Sequence, residues 1–452
     1  MQGCESASEG GGSSDALVVP SWAVADAVQA DPVARKLPLS TNHRRWNDWL
    51  WQMKNRIRTM AQLTEWFPVL RERLDLELVA GKYPMAITPY YASLIKTPDP
   101  SDPIFRMCVP DLAELNNPPF LRDDPLEEEQ DMPVWGLVHR YPDRALLLVT
   151  TGCSLYCRHC TRKRVAGTRE VSISPSRLAK AAAYLAAHPE ITDVIVSGGD
   201  PFTLPTGTIE NVLATIRAVP SVQIIRIGTR TPVVLPMRIT DELTEMLRKY
   251  HPLWVNTHFN HPDELTTEAA EACARLADAG IPLGNQSVLL RGINDTPRTI
   301  EDLCRGLIRM RVRPYYLFQC DLVRGIEHFR TPISRGLEIM EYLRGRVSGL
   351  AIPTFVVDAP HGGGKIPVLP NYVVSMSPTA TVLRNFEGML VSYPEPCRGS
   401  QEDRSELRED ETPGVWELVS GRASAIHPAR ARRYQRRFRQ ECSTLVEIGE
   451  PL

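Results

Sequence analysis

From residue 145 to residue 344 the chain repeats one pattern six times: a short apolar run, then a longer stretch with apolar residues at helical spacing. The runs cover residues 145–149, 194–196, 224–227, 253–255, 287–290 and 315–318, and the helical stretches cover 176–188, 208–218, 241–250, 264–279, 299–311 and 336–344. Short apolar strands, each separated from the next by a helix, pair in parallel beneath those helices. Six such units predict an α/β fold, a partial (β/α)6 barrel. Barrels of this kind carry their sites at the carboxyl ends of the strands, and polar residues gather there in this sequence. Cys153 follows the first run and Ser197-Gly198-Gly199-Asp200 the second. Residues 226–230 surround the end of the third, Asn256 and His258 follow the fourth, and Asp321 follows the sixth.

Cys153, Cys157 and Cys160 form C-x-x-x-C-x-x-C. Three closely spaced thiolates suit three irons of a four-iron cluster and leave the fourth iron open to a ligand. A zinc site wants four N/S ligands, and although His159 sits inside the loop, no second Cys/His pair follows at finger spacing. A disulfide suits secreted chains. Cluster ranks above zinc, and zinc above disulfide.

Around this core the sequence is of ordinary composition. A formal net charge of −2 over 452 residues sets up no global field toward nucleic acid or membranes. Neither a signal peptide nor a membrane-length apolar stretch is present. Seven further cysteines are scattered, as reduced thiols of a cytoplasmic protein are. Residues 1–37 read as a disordered leader, 38–135 as a helical region, 136–346 as the barrel, and 347–452 as a C-terminal region carrying Lys365 and a basic tail. Trp46, Trp49, Leu50 and Met53 recur at helix spacing, and Ile57 and Met60 continue the stripe. The acidic run 123–129 reads as an exposed connector. The basic stretch 430–439, interleaved with Tyr434 and Phe438, reads as a solvated helix in preference to a nucleic-acid surface.

Gly198 and Gly199 let a ligand approach the backbone, and Asp200 can accept hydrogen bonds from an ammonium group. Gly-Gly-Asp is also a common turn, but here it stands one strand after the cysteine motif. Together the two resemble the radical S-adenosylmethionine (SAM) enzymes. That resemblance implies SAM chelating the open iron of a 4Fe–4S cluster, its amine held at residues 198–200. Arg226, His258 and Gln286 fall near later strand ends, where that fold makes further SAM contacts; capping of the strand ends is the alternative for Arg226. Lys365 follows Gly362-Gly363-Gly364 without the P-loop spacing, so a nucleotide is a poor fit. A lysine that forms and releases a Schiff base needs mobility and room, which suits pyridoxal 5′-phosphate (PLP); a mobile surface loop is the alternative. Arg140, Tyr141 and Arg144 suit a phosphate dianion, or are an ordinary polar turn.

From about Trp46 to Pro396 the chain resembles the lysine 2,3-aminomutases, PLP-dependent radical SAM enzymes. The resemblance runs through Trp46-Asn47-Asp48-Trp49, Met85-Ala86-Ile87-Thr88-Pro89-Tyr90-Tyr91 and His139-Arg140-Tyr141-Pro142-Asp143-Arg144. It continues through the cysteine loop, Asn256-Thr257-His258-Phe259-Asn260-His261-Pro262, residues 284–292, residues 358–365 and Pro370-Asn371-Tyr372-Val373. It implies a radical SAM-type barrel in which Lys365 carries PLP, with Arg140, Tyr141 and Arg144 about the cofactor. It also implies that Arg162 pairs with the substrate α-carboxylate while Asp321 and Asp358 hold a cationic far end. The implied reaction converts L-lysine to β-lysine. L-Arginine to β-arginine for an antibiotic pathway, a β-lysine synthase of the elongation factor P type, and a structural iron–sulfur or zinc protein are the alternatives. A homodimer or homotetramer and an electron donor such as flavodoxin or ferredoxin come with the family. Two departures stand out. His361 replaces the first of four glycines before the PLP lysine. Thr296, with only Cys397 and Cys442 in the tail, replaces the ligands of a structural zinc, so none is expected.

Overall fold

The computed structural model describes residues 45–394, except 166, 168 and 377–379. The expected leader, the basic stretch 430–439, Cys397 and Cys442 lie outside the described residues.

The six predicted runs become six consecutive strands: β2 (Arg144–Thr150), β3 (Asp193–Gly198), β4 (Ile224–Gly228), β5 (Leu253–Thr257), β6 (Leu283–Leu289) and β7 (Arg313–Gln319). Three more strands complete the sheet. β1 (Leu137–Tyr141) pairs antiparallel with β2, β8 (Thr354–Ala359) adds a seventh parallel strand beside β7, and β9 (Gly364–Pro367) returns antiparallel to β8. All nine lie in sequential order. The sheet is therefore a barrel wall with an antiparallel strand at each edge.

The alternation of side chains along each strand explains the curl. Val194, Val196, Ile225, Ile227 and Val255 point outward and share one core with Leu178, Leu185, Ile209, Leu213, Leu243 and Leu247 of the surrounding helices. Each such side chain contributes roughly 1.5–3 kcal/mol by leaving water. Their neighbours Ile195, Ser197, Arg226 and Gly228 are only half-buried and line a lumen of about 1070 Å³. Helices Pro175–Ala187, Asp241–Arg248, Thr267–Asp278 and Pro297–Arg309 begin where the hydroxyls of Ser174, Thr240, Thr266 and Thr296 accept a backbone N–H of the first turn. Thr296 is thus a helix cap.

Ahead of the barrel the tryptophan stripe does not continue as one helix. Trp49–Lys54 and Met60–Trp66 are separate, because Ile57 exchanges backbone hydrogen bonds with Ile87 and the Thr59 capping box starts a new turn. The acidic run is only in part an exposed connector. Asp123 and Glu129 face solvent, but Glu127 and Glu128 are buried, because His361 and Arg162 reach them.

A second compact unit begins at Val373 and contains a three-stranded antiparallel sheet of β10 (Val373–Met376), β11 (Ala380–Arg384) and β12 (Leu390–Pro394). Among the described residues no helix is long and apolar enough to cross a membrane.

Candidate active site

The loop after β2 carries the cysteines into the lumen, and none of the three is in a disulfide. The loop is tied down by charge on its outer side. Arg158 donates Nε–H to Glu114 Oε1 at 2.8 Å, and Lys163 Nζ lies 2.6 Å from Glu114 Oε2. Glu114 itself is fully buried. A second tie is Arg56, which donates to the Cys153 carbonyl and to Glu170. Burial, with the charges around them, pushes the Cys153 and Cys160 thiols up. A bound metal reverses that preference by deprotonating coordinating thiols.

Among the described residues no three His, Cys, Asp or Glu side chains converge as ligands of one ion would. The three thiols instead line a shared wall of the lumen. That wall also carries a cation the sequence reading passed over: buried Arg230 donates Nη1–H to Cys157 Sγ at 2.7 Å and Nη2–H to Glu264 at 2.7 Å. Half-buried free thiols facing a large cavity beside a fixed cation fit an anionic cluster.

The strand end 198–200 lines the lumen and also packs against the cysteine loop. The space that side chains at Gly198 and Gly199 would need is already filled by backbone. A Cβ at Gly198, whose φ is +133°, would lie 2.2 Å from the Thr150 carbonyl oxygen, and one at Gly199 would lie 2.1 Å from that of Gly152. The glycines therefore press β3 against the start of the cysteine loop. Asp200 accepts from Thr229 Oγ1 at 2.6 Å, the Arg230 N–H at 2.8 Å and the Phe202 N–H at 3.1 Å. Its carboxylate locks the end of β4 to the end of β3, and it lines the lumen from there.

Arg226 lies inside β4, below the strand end, in a salt bridge with Asp193 at 2.7 Å. Gln286 lies within β6, which starts earlier than its apolar run because Gly284 and Asn285 face crowded or hydrogen-bonded positions that apolar residues would not fill. His258 Nδ1 meets the Gln286 carbonyl at 3.1 Å. Burial and then the Arg230 charge lower its pKa to about 4, so the ring is neutral.

At the opposite wall, Lys365 is on β9 and not in a free loop. Its backbone N–H donates to the Tyr141 hydroxyl at 2.9 Å, and its Nζ lies 2.9 Å from Asp358 Oδ1 and 5.0 Å from the centre of the Phe318 ring. The turn consists of Pro360–Gly362 and Gly363, with His361 at φ +59° and its Nδ1 2.8 Å from Glu127. Gly364 has φ +87°, and a Cβ there would come within 3.1 Å of the Tyr141 hydroxyl. The close fit of glycine, tyrosine and lysine gives the lumen a primary amine on a rigid hairpin. The Arg144 guanidinium stacks 4.5 Å from the Tyr141 ring, and Arg140 is held by Asp131 at 2.9 Å. An amine facing a cavity bordered by two arginines and a tyrosine fits a phosphorylated aldehyde.

Arg162 donates both Nε–H and Nη2–H to Glu128, at 3.0 and 2.7 Å. Its neighbour Thr161 donates to Asp321 Oδ2 at 3.0 Å. Burial first, and then the charge of Asp358, raise the Asp321 pKa to about 7. All fifteen predicted site residues therefore line the lumen of the barrel. Arg162 and the Asp321/Asp358 pair offer opposite charges within one cavity. Glu128 and Arg230 were missed. The signal for Glu128 was the run of cations Arg158, Arg162, Lys163 and Arg164, which could not be buried without carboxylates.

A family model described as "Lysine-2,3-aminomutase" matches residues 340–447, and one described as "Radical SAM superfamily" matches residues 147–304. The chain is 50% identical to the L-lysine 2,3-aminomutase of Clostridium subterminale over 87% of its own length and 96% of that protein. It is 50% identical to the L-lysine 2,3-aminomutase of Bacillus subtilis, over 78% of this chain and 75% of that one. The glutamate 2,3-aminomutase of Clostridioides difficile is 44% identical, over 76% of this chain and 82% of that one.

Proposed function

The chain belongs to the lysine 2,3-aminomutase family, and on that premise we propose that it converts L-lysine to β-lysine by moving the α-amino group to C3. The observation that carries the choice of substrate is the charge arrangement in the lumen. One arginine, Arg162, faces a pair of carboxylates, Asp321 and Asp358. A zwitterion with a cationic tail satisfies both ends. A glutamate side chain would add a third carboxylate beside two buried ones, which is costly without a further cation.

The cofactors of this family are a 4Fe–4S cluster, SAM and PLP, which supply a carbon radical to take hydrogen from C3 and a carbonyl to hold the migrating nitrogen. The residues assigned to them are Cys153, Cys157 and Cys160 for the cluster. Gly198, Gly199, Asp200, His258 and Gln286 form the SAM side, and Lys365, Arg140, Tyr141 and Arg144 the PLP side. Arg162 orients the substrate carboxylate, and Asp321 and Asp358 fix the far ammonium. Held at both ends, the substrate presents C2 and C3 at a constant position, which favours a reaction between neighbouring atoms. The protein works in the cytoplasm as a homo-oligomer and draws electrons from a flavodoxin- or ferredoxin-type donor; its seven free cysteines among the described residues suit a reducing compartment.

The test is anaerobic incubation of the reconstituted enzyme with SAM, dithionite and, separately, L-lysine, L-arginine or L-glutamate, with the β-amino acid identified by mass spectrometry. β-Lysine is expected. β-Arginine as the preferred product would reassign the tail pocket to a guanidinium, and β-glutamate would overturn the roles of Asp321 and Asp358.

A further inference from the structure

We propose that Glu128 is the positioning residue that sets Arg162 for the substrate carboxylate. The inference rests on the proposed reading of Arg162 and adds to it a residue from outside the barrel strands.

Arg162 leaves the cysteine loop two residues after Cys160, in a stretch with no helix or strand to fix it. A long guanidinium side chain on such a stretch has much rotamer freedom to lose before it can hold a ligand in one orientation. Glu128 removes that freedom. The pair is side-on and bidentate, using Nε–H and one Nη2–H, at 3.0 and 2.7 Å. The side chain of Glu128 is only 6% exposed. Burial pushes its carboxyl up, but Arg162 more than offsets this and holds it below the usual range, so it stays ionised.

This geometry leaves the end of the guanidinium available. Nη1 makes only a long contact, 3.5 Å, to the Gly198 carbonyl, and Nη2 keeps a second hydrogen. A substrate carboxylate can therefore dock end-on without displacing Glu128. Charge balance allows both anions. Arg164 approaches Glu128 Oε2 at 3.5 Å and Asp124 at 3.4 Å, supplying a second cation behind the first carboxylate. The opposite possibility is that Glu128 occupies the carboxylate's place and is pushed out by substrate. The two predict opposite signs for the same substitution.

The experiment measures dissociation constants of L-lysine and of 1,5-diaminopentane, which lacks the carboxylate, on the PLP-loaded protein by the change in visible absorbance. KM and kcat are read in parallel. Glu128→Ala is expected to weaken L-lysine at least tenfold, chiefly in KM, and to leave 1,5-diaminopentane within twofold. Glu128→Gln, which keeps the shape and one acceptor, is expected to fall between the two. Unchanged or tighter L-lysine binding in both variants overturns the proposal and favours displacement. Equal weakening of both ligands overturns it in favour of a purely structural role. Arg162→Lys separates this from the underlying reading: if it leaves L-lysine binding unchanged, the assignment of Arg162 fails. If it weakens L-lysine while the Glu128 variants do not, only the positioning role fails.

Discussion

Glu114 is a fully buried carboxylate that holds two cations at once, and its removal tests how the cysteine loop is held. It lies in the 3-10 turn Leu112–Leu115 with no exposed surface, and it accepts from Arg158 Nε at 2.8 Å, Arg158 Nη2 at 2.5 Å and Lys163 Nζ at 2.6 Å. Glu114→Ala leaves both cations buried. Breaking one buried pair costs about 3–5 kcal/mol. Two cations argue for the upper end, but Lys163 can shed its proton, since burial already lowers its pKa to about 8. The expected cost is therefore about 3–5 kcal/mol while Lys163 is charged, falling as pH rises toward about 8 and level above it, because Glu114 is what holds the Lys163 value up. For a unit of this size that corresponds to a melting temperature lower by about 4–6 °C in a circular dichroism scan of the cofactor-free protein. Iron uptake on reconstitution should fall with it, because the loop between the two cations carries Cys160. Replacing Glu114, Arg158 and Lys163 together by methionine should recover much of the loss, since apolar residues leave no unpaired charge. A Glu114→Ala protein melting within about 1 °C of the parent would falsify the clamp.

Two further outcomes follow from the lumen. Asp321, raised to about 7, contributes stability that is fully present below its unfolded value of about 4 and is lost as pH rises through about 7. A ligand ammonium prefers the ionised carboxylate, so L-lysine affinity should rise as pH passes through about 7 and then level off; Asp321→Asn should flatten that profile in a binding titration. Gly364→Ala forces a side chain into φ +87° beside the Tyr141 hydroxyl and should cost about 1–2 kcal/mol. Its measurable consequence is weaker retention of PLP on dialysis, and full retention would show that the hairpin tolerates a shift.

Strand and helix order was legible because both periods are strong: outward valines and isoleucines alternate with lumen residues, and each helix repeats an apolar stripe. What the pattern did not reveal depends on contacts distant in sequence. β8 has an outward face like the others, but no long helix follows it, so residues 355–357 read as tail. β9 is four residues, too short to show a period, and Lys365 joins the sheet only because Tyr141 and β8 receive it. The acidic run looked solvated because the partners of Glu127 and Glu128 lie about thirty or more residues away. Charge density alone does not distinguish an exposed loop from one facing Arg162 and His361. The glycines of 198–199 were read as making room for a ligand, and spacing gave no hint that they also pack two strand ends closely. Nearest-neighbour backbone fits of that kind leave no trace in spacing.

The same distant contacts give the lumen an order of assembly. In the ligand-free protein Lys365 is the cation of Asp358, at 2.9 and 3.2 Å, and Asp321 stays largely protonated at the acid side of neutrality because it has no cation of its own. On the proposed function, attachment of PLP through Nζ withdraws the Lys365 ammonium from that pair. Two neighbouring carboxylates then stand without a cation, and the tail ammonium of L-lysine is the cation that relieves them. The pocket for the substrate's far end is thus completed by loading the cofactor. L-Lysine should accordingly bind the PLP-free protein much more weakly than the PLP-loaded one, and calorimetry on the two forms should show it. Lys365→Met, which removes the ammonium without PLP, should raise the affinity of the PLP-free protein for 1,5-diaminopentane. Weaker binding in that variant would mean that Lys365 and the ligand do not share Asp358.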